Sequence, residues 1–237
     1  MCGRFTHLYT WRQLHRLMTL TSPVELPARY NVAPGQRAPV VRAVGGGNDA
    51  ALLRWGLLPA WAKDERFGYR TINARSETVR TAPAFRAAFK SRRCIVPVSG
   101  FYEWRKQPGA KRPLYFTPTE SDVFALAGLW ECWRNDAGVE IETFTILTTV
   151  ANEFMREIHD RMPVILGPAE FAEWLGGEPI DDSRAIELFA PCGPGEIRYW
   201  PVGTRVNSPK NDDASLIAPA PEAGGGETIP PGLFGDM

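Results

Sequence analysis

The sequence holds no C-x-x-C pair and only three histidines, and its four cysteines (Cys2, Cys94, Cys132 and Cys192) lie far apart. The usual structural zinc spacings are therefore excluded, no metal or cofactor is implied, and Cys94, Cys132 and Cys192 read as buried thiols acting as small hydrophobes. No apolar run approaches the roughly 20 residues that cross a bilayer. The N-terminus lacks a basic-then-apolar signal pattern, so the expected location is the cytoplasm. The run Gly45-Gly46-Gly47 is followed by Asn48-Asp49 rather than a Lys-Ser or Lys-Thr pair, which excludes a phosphate loop. There is no internal repeat. Net charge is also missing, with 27 Lys and Arg against 27 Asp and Glu. The balance is uneven along the chain: residues 211–237 hold five acids and no Lys or Arg, leaving 27 basic against 22 acidic residues in 1–210. That surplus permits a local basic groove without requiring one.

What is present fits a globular chain of one domain with a tail. Of the 237 residues 44% are hydrophobic and 11% aromatic, with eight Trp. The domain is expected over 1–210, and the Pro-, Gly- and acid-rich 211–237 is expected to be a disordered tail. Strand-like stretches are expected at 3–7, at Ala38–Val44 and Ala51–Trp55 around a Gly45–Asp49 turn, and at Cys94–Ser99. Others are Phe101 onward, Leu114–Phe116, Val123–Trp130, Thr143–Thr149, Val164–Leu166 and Ile197–Val202. Helices are expected at 10–19, 83–90, after Asn152, at 168–175 and at 183–189. The mixture has no βαβ rhythm, so the class is α+β.

The chain opens Met1-Cys2-Gly3-Arg4-Phe5. Initiator methionine is removed when the next side chain is small, which would give Cys2 a free amine beside its thiol. Their unperturbed pKa values are about 8 and about 8.5, and nearby positive charge would favour the thiolate. A 1,2-aminothiol condenses with an aldehyde to an imine, and the tethered sulfur then closes a thiazolidine.

Other polar residues sit in apolar settings. Glu103 lies between Tyr102 and Trp104, either as an edge-strand charge facing water or as an acid facing a pocket. Asn73 follows Thr71-Ile72, either as a helix cap continued by Ser76 and Glu77 or as a site residue. His159 stands at a helix end before Asp160-Arg161, where charge alone would suit it. Arg4, Arg75 and Arg161 are surface ion pairs or a phosphate track. Trp55, Trp61 and Trp104 are core or, where exposed, base-stacking. His7 and His15 read as surface residues without a role.

Seven stretches recur together in one order. They are Cys2-Gly3-Arg4-Phe5, Tyr30-Asn31-Val32-Ala33-Pro34, Arg54-Trp55-Gly56-Leu57, Asn73-Ala74-Arg75-Ser76-Glu77, Gly100-Phe101-Tyr102-Glu103-Trp104, Ala127-Gly128-Leu129-Trp130 and His159-Asp160-Arg161-Met162-Pro163. In this order the chain resembles the SRAP family, the SOS-response-associated, abasic-site-processing proteins, from residue 2 to about 207. The resemblance implies one compact α+β domain around a bifurcated, barrel-like mixed β-sheet flanked by short helices. It implies a groove for single-stranded DNA bearing abasic sites, and association with the nucleoid when DNA is bound. Carried over by motif, Cys2 is the covalent nucleophile and Asn73 holds its amine or the opened sugar. Glu103 is a general acid/base and His159 a second proton-transfer group. Arg4, Arg75 and Arg161 grip phosphates, Trp104 stacks beside the lesion, and Thr148 supports Glu103. The same residues leave two alternatives: an N-terminal-nucleophile peptidase pairing Cys2 with Glu103 or His159, and a non-catalytic single-strand-binding module. Self-processing would here remove only Met1. Imine chemistry also allows strand scission by β-elimination.

Overall fold

The computed structural model describes residues 2–220. Its strands are β1 (Phe5–His7), β2 (Arg29–Val32), β3 (Arg37–Val44), β4 (Gly47–Trp55), β5 (Asn73–Arg75), β6 (Arg93–Val98), β7 (Gly100–Gln107), β8 (Ala110–Pro118), β9 (Phe124–Arg134), β10 (Glu140–Val150), β11 (Arg161–Pro163) and β12 (Ile197–Pro201). The helices are α1 (Trp11–Met18), α2 (Arg86–Ser91), α3 (Glu153–Arg156), α4 (Phe171–Leu175) and α5 (Asp182–Leu188).

Five strands close on themselves in the order β10-β4-β3-β6-β9, with β9 returning to β10. All the pairings are antiparallel except β10 with β4. Alternation sorts the side chains. Val40, Leu53, Trp55, Cys94, Val96, Leu126, Phe144 and Ile146 fill the interior. Val41, Ile95, Ala127, Leu129 and Leu147 face outward, under Phe89, Trp174 and Phe189 of the helical layer. Because both faces of β6 are covered, all six of its residues are buried.

The second sheet runs β12-β8-β7-β1-β2. Only Ser99 separates β6 in the barrel from β7 in this sheet, so the chain itself forks there. Gly100 permits the crossing: a Cβ at that position would stand 2.4 Å from Phe116 O and from the Tyr115 ring. Phe5, Phe101, Leu114 and Phe116 extend the barrel interior into the second sheet, and Cys2 belongs to the same buried cluster. Cys2 thus lies in the central core.

Several expected elements shift. The β3–β4 turn is two residues, Gly45 and Gly46 (φ 58° and 84°), with Val44 paired to Gly47, rather than the five-residue turn at 45–49. Strands β8, β9 and β10 outrun their apolar stretches, because hairpin pairing continues into polar residues. Helix α1 is closed by a Thr10–Gln13 capping box. Asn152 accepts from Met155 N as expected, but α3 stops after one turn. The strand expected at Val164–Leu166 lies at Arg161–Pro163, paired with Thr148–Val150, with only a single bridge at Ile165.

Cys94 is buried, whereas Cys132 and Cys192 are only half-buried, at the barrel's polar rim and in a loop. His7 is buried, not on the surface, because β1 is flanked by β2 and β7. Burial first, and then the Arg29 charge, depresses its pKa to about 4. Residues 211–220, expected in the tail, are packed. Asp212 accepts from Tyr30 N (2.6 Å) and pairs with Arg29, Leu216 is buried, and Pro219 bridges Val202. The rest of the expected tail, 221–237, lies outside the described residues. Among the described residues no helix is long and apolar enough to cross a membrane.

Candidate active site at the N-terminus

Strand pairing brings the N-terminal residues to Glu103. Phe5 is opposite Phe101 and Thr6 opposite Gly100, and Tyr102 N donates to Arg4 O at 2.9 Å. Beyond that bond the chain leaves the strand, and Cys2 enters the core cluster near enough to Glu103 to feel its charge. Phe101 and Glu103 share the face that meets the barrel core, where Glu103 opposes Leu114. Tyr102 and Trp104 take the other face, among Tyr30, Val206 and Leu216. Glu103 is therefore a buried carboxyl (4% exposed), not an edge charge facing water.

Asn73 comes from the opposite side. It begins β5, which runs parallel to β10 with Asn73 at Ile146 and Ala74 at Leu147. The alternative of a helix cap is thereby excluded: buried Ala74 needs the strand, and Ser76 N bonds to Thr148 O instead of continuing a helix. Asn73 Nδ2 donates to Cys2 O at 2.8 Å, while its Oδ1, also buried, has no partner among the described residues. Cys2 is fully buried. Burial, and next the nearby Glu103 charge, push its thiol up to about 12, against weaker opposing pulls from the α-amino charge and Arg4 N–H. Burial and the Glu103 charge, not a nearby positive charge, dominate at the sulfur and favour the thiol.

Beside this cluster is a cleft of about 710 Å³, lined among others by Glu103, Trp104, Arg156, His159 and Asn207. His159 follows α3, with its N–H on Met155 O. Its Nδ1 lies 3.0 Å from Arg161 N and 2.8 Å from Asp160 Oδ1. A neutral ring uses the lone pair to accept from Arg161, and a protonated ring donates to Asp160. The ring has a partner in either state.

The arginines differ in their commitments. Arg4 Nη1 donates to Asn31 Oδ1 (2.7 Å) and Val206 O (2.8 Å), and its guanidinium lies 5.9 Å from the Trp104 ring centroid. Arg161 holds Glu77 with two N–H groups and also donates to Thr148 O. Arg75 is exposed. Thr148 is buried opposite Arg75 and Pro163, its hydroxyl 3.4 Å from Ala74 O, so it is tied to β5 and β11. Trp55 is core, Trp61 is exposed, and Trp104 is half-buried on the cleft.

Sequence reasoning missed Asn207. Its Oδ1 accepts from Trp104 Nε1 at 2.8 Å and it lines the cleft. It comes from a 3-10 turn (Thr204–Asn207) that no apolar period marks, and only the side chain's fit to the indole N–H identifies it.

Comparison with known proteins places this geometry. The profile of the family described as "SOS response associated peptidase (SRAP)" matches residues 1–209. A Bacillus subtilis protein named abasic site processing protein YoqW is 41% identical over 221 residues, covering 92% of this chain and 99% of that one. The chicken (Gallus gallus) abasic site processing protein HMCES is 33% identical over 191 residues, covering 70% of this chain and 56% of that one. A crystal structure of a Bacteroides thetaiotaomicron protein superposes with a TM-score of 0.83 at 26% identity, covering 92% of this chain and all of that one.

Proposed function

Because this chain belongs to the SOS response associated peptidase (SRAP) family, we propose that it processes abasic sites in DNA, bonding covalently through Cys2 to an abasic sugar in a single strand and so shielding it. The names of its relatives support the substrate. The observation that carries the chemistry is the Asn73 Nδ2 bond to Cys2 O, which fixes the N-terminal residue beside buried Glu103.

While Met1 remains, the Cys2 nitrogen is an amide and cannot attack, so loss of Met1 comes first. The ring-closed sugar opens as one proton leaves its hydroxyl and another reaches the ring oxygen, a transfer suited to a buried carboxyl. The freed amine adds to the aldehyde carbon and one water departs, giving an imine. The sulfur then adds to that carbon while the thiol proton passes to nitrogen, closing the thiazolidine. In sum, protein and DNA join with loss of one water. Glu103, whose charge bears on the Cys2 sulfur, is suited to relay the thiol proton in the closing step. The open Oδ1 of Asn73 is placed to accept from the amine or a sugar hydroxyl. His159 lines the same cleft as Glu103 and is the second proton-transfer group, its ring oriented by the Arg161 N–H and by Asp160.

A duplex hides the sugar carbon, so the partner is a single strand, with Trp104 stacking on a neighbouring base. Exposed Arg75 takes phosphate directly. Arg4, beside Trp104, and Arg161 are further phosphate contacts in this reading, though much of their hydrogen-bonding capacity is committed within the protein. The test is to mix the protein with an abasic oligonucleotide and denature. A heat-stable shifted band that Cys2→Ala abolishes is expected, and an equal band from Cys2→Ala overturns the reading.

A further inference from the structure

The β7–β8 hairpin projects beyond its sheet. On one side, β1 pairs with β7 only at Gly100 and Phe101, with one further bond at Tyr102. On the other, β12 pairs with β8 only as far as Leu114, with one further bond at Pro113. Among the described residues, the hairpin beyond Trp104 and Pro113 is a two-stranded ribbon. Two like-charge pairs lie directly across it: Arg105 opposite Arg112, and Lys106 opposite Lys111. Such pairs destabilise a sheet, and a lone ribbon has little stability to spare.

The two pairs are not equivalent. Arg105 is engaged with Tyr199, donating to its hydroxyl at 2.5 Å with the guanidinium 5.4 Å from the ring centroid. Lys106 and Lys111 are exposed, and neither has an ion pair among the described residues. Alternation puts both on the Trp104 face, and both line the cleft shared with Glu103 and His159.

We infer that Lys106 and Lys111 form a phosphate-binding finger that holds the DNA strand on one side only of the abasic sugar. This rests on the proposed function and sharpens its substrate. Lys106 is three residues along β7 from Glu103, about 10 Å at strand rise. That distance corresponds to roughly three phosphates at the ~3.4 Å per nucleotide of a stacked strand, and fewer in a stretched one. The finger thus begins two or three nucleotides from the lesion, and a strand ending at the lesion on that side misses it.

The test uses Lys106→Gln/Lys111→Gln in the full chain, with abasic oligonucleotides trimmed from the 5′ or the 3′ side. Initial binding, scored by competition before crosslinking, is measured from 50 to 200 mM salt. Losing two phosphate contacts should flatten the salt slope by about 1.4, so the affinity lost over that range shrinks about sevenfold. Trimming one side of the oligonucleotide should erase the difference between parent and variant, and trimming the other should leave it. Crosslinking to the oligonucleotide trimmed on the finger side should be equal for both proteins. An unchanged salt slope, or a difference indifferent to which side is trimmed, overturns the finger. A parent that never crosslinks any abasic oligonucleotide instead overturns the proposed function, and the salt slopes still decide the finger.

Discussion

Arg93, on barrel strand β6, and Asn73, on β5 beside β10, show two ways of treating a polar side chain in the interior. Arg93 is 3% exposed under the helical layer. Its Nε donates to Trp174 O (2.6 Å), Nη1 to Phe89 O (3.1 Å) and Nη2 to Glu178 O (2.7 Å), and its guanidinium lies 5.6 Å from the Trp174 ring centroid. Two of those carbonyls belong to the last turns of α2 and α4, which have no partner within their own helices. Arg93 is thus a cap serving three chain segments. Asn73 makes one bond, to the backbone of Cys2, and keeps a buried oxygen open. An unsatisfied buried acceptor costs about 1–3 kcal/mol. Saturation marks a side chain that holds the fold together, and the open valence beside Cys2 marks the one proposed to act.

The sharpest way to break this contrast is to exchange the consequences. Arg93→Met orphans three carbonyls at about 1–3 kcal/mol each. Even at the lower end this should reduce Tm by roughly 6–12 °C, while the crosslinking rate at 20 °C stays near the parent's. Calorimetry and a timed gel check both.

His7 is a buried histidine on β1, and it sets an acid limit. Its pKa is about 4 folded and about 6.5 unfolded. Between those values the unfolded chain binds the extra proton, so stability rises with pH across this window and is lost as pH falls from 6.5 toward 4. The loss amounts to about 3 kcal/mol at pH 4. Urea titrations of the parent and His7→Phe at pH 4 to 7 should show the parent's curve falling more steeply. Parallel curves would remove His7 from the account.

Asn73→Ala should slow crosslinking by roughly 10–100-fold, the equivalent of about 1–3 kcal/mol, with a small change in Tm because its open oxygen supports nothing in the fold. The smallest effect is expected at Asn207. Asn207→Ala frees the Trp104 indole and should weaken single-strand binding about fivefold, within the roughly 1 kcal/mol of a neutral hydrogen bond. Fluorescence quenching of Trp104 by DNA would report it.

The sequence motifs singled out Cys2, Asn73, Glu103 and His159 as candidates, and the structure sets the first three near one another with His159 on the adjoining cleft. The class and most strands were legible because short apolar runs, bounded by turn residues, mark β3, β4, β6, β9 and β10. Closure of the barrel was not, since the parallel pairing of β10 with β4 joins residues some 90 positions apart and leaves no local period. Burial of His7 was hidden for the same reason: both flanking strands come from elsewhere in the chain. Residues 211–220 have a tail's composition but are held by specific bonds at Asp212 and Asn211, which composition cannot report.

The most direct test of the central claim is the intact mass of the adduct, before and after borohydride. The account predicts a protein lacking Met1, joined to the abasic oligonucleotide with loss of one water, that survives denaturation without reductant and gains no hydrogens from borohydride. An adduct that retains Met1, or one that persists only after gaining two hydrogens, would mean that the sulfur never closes the ring.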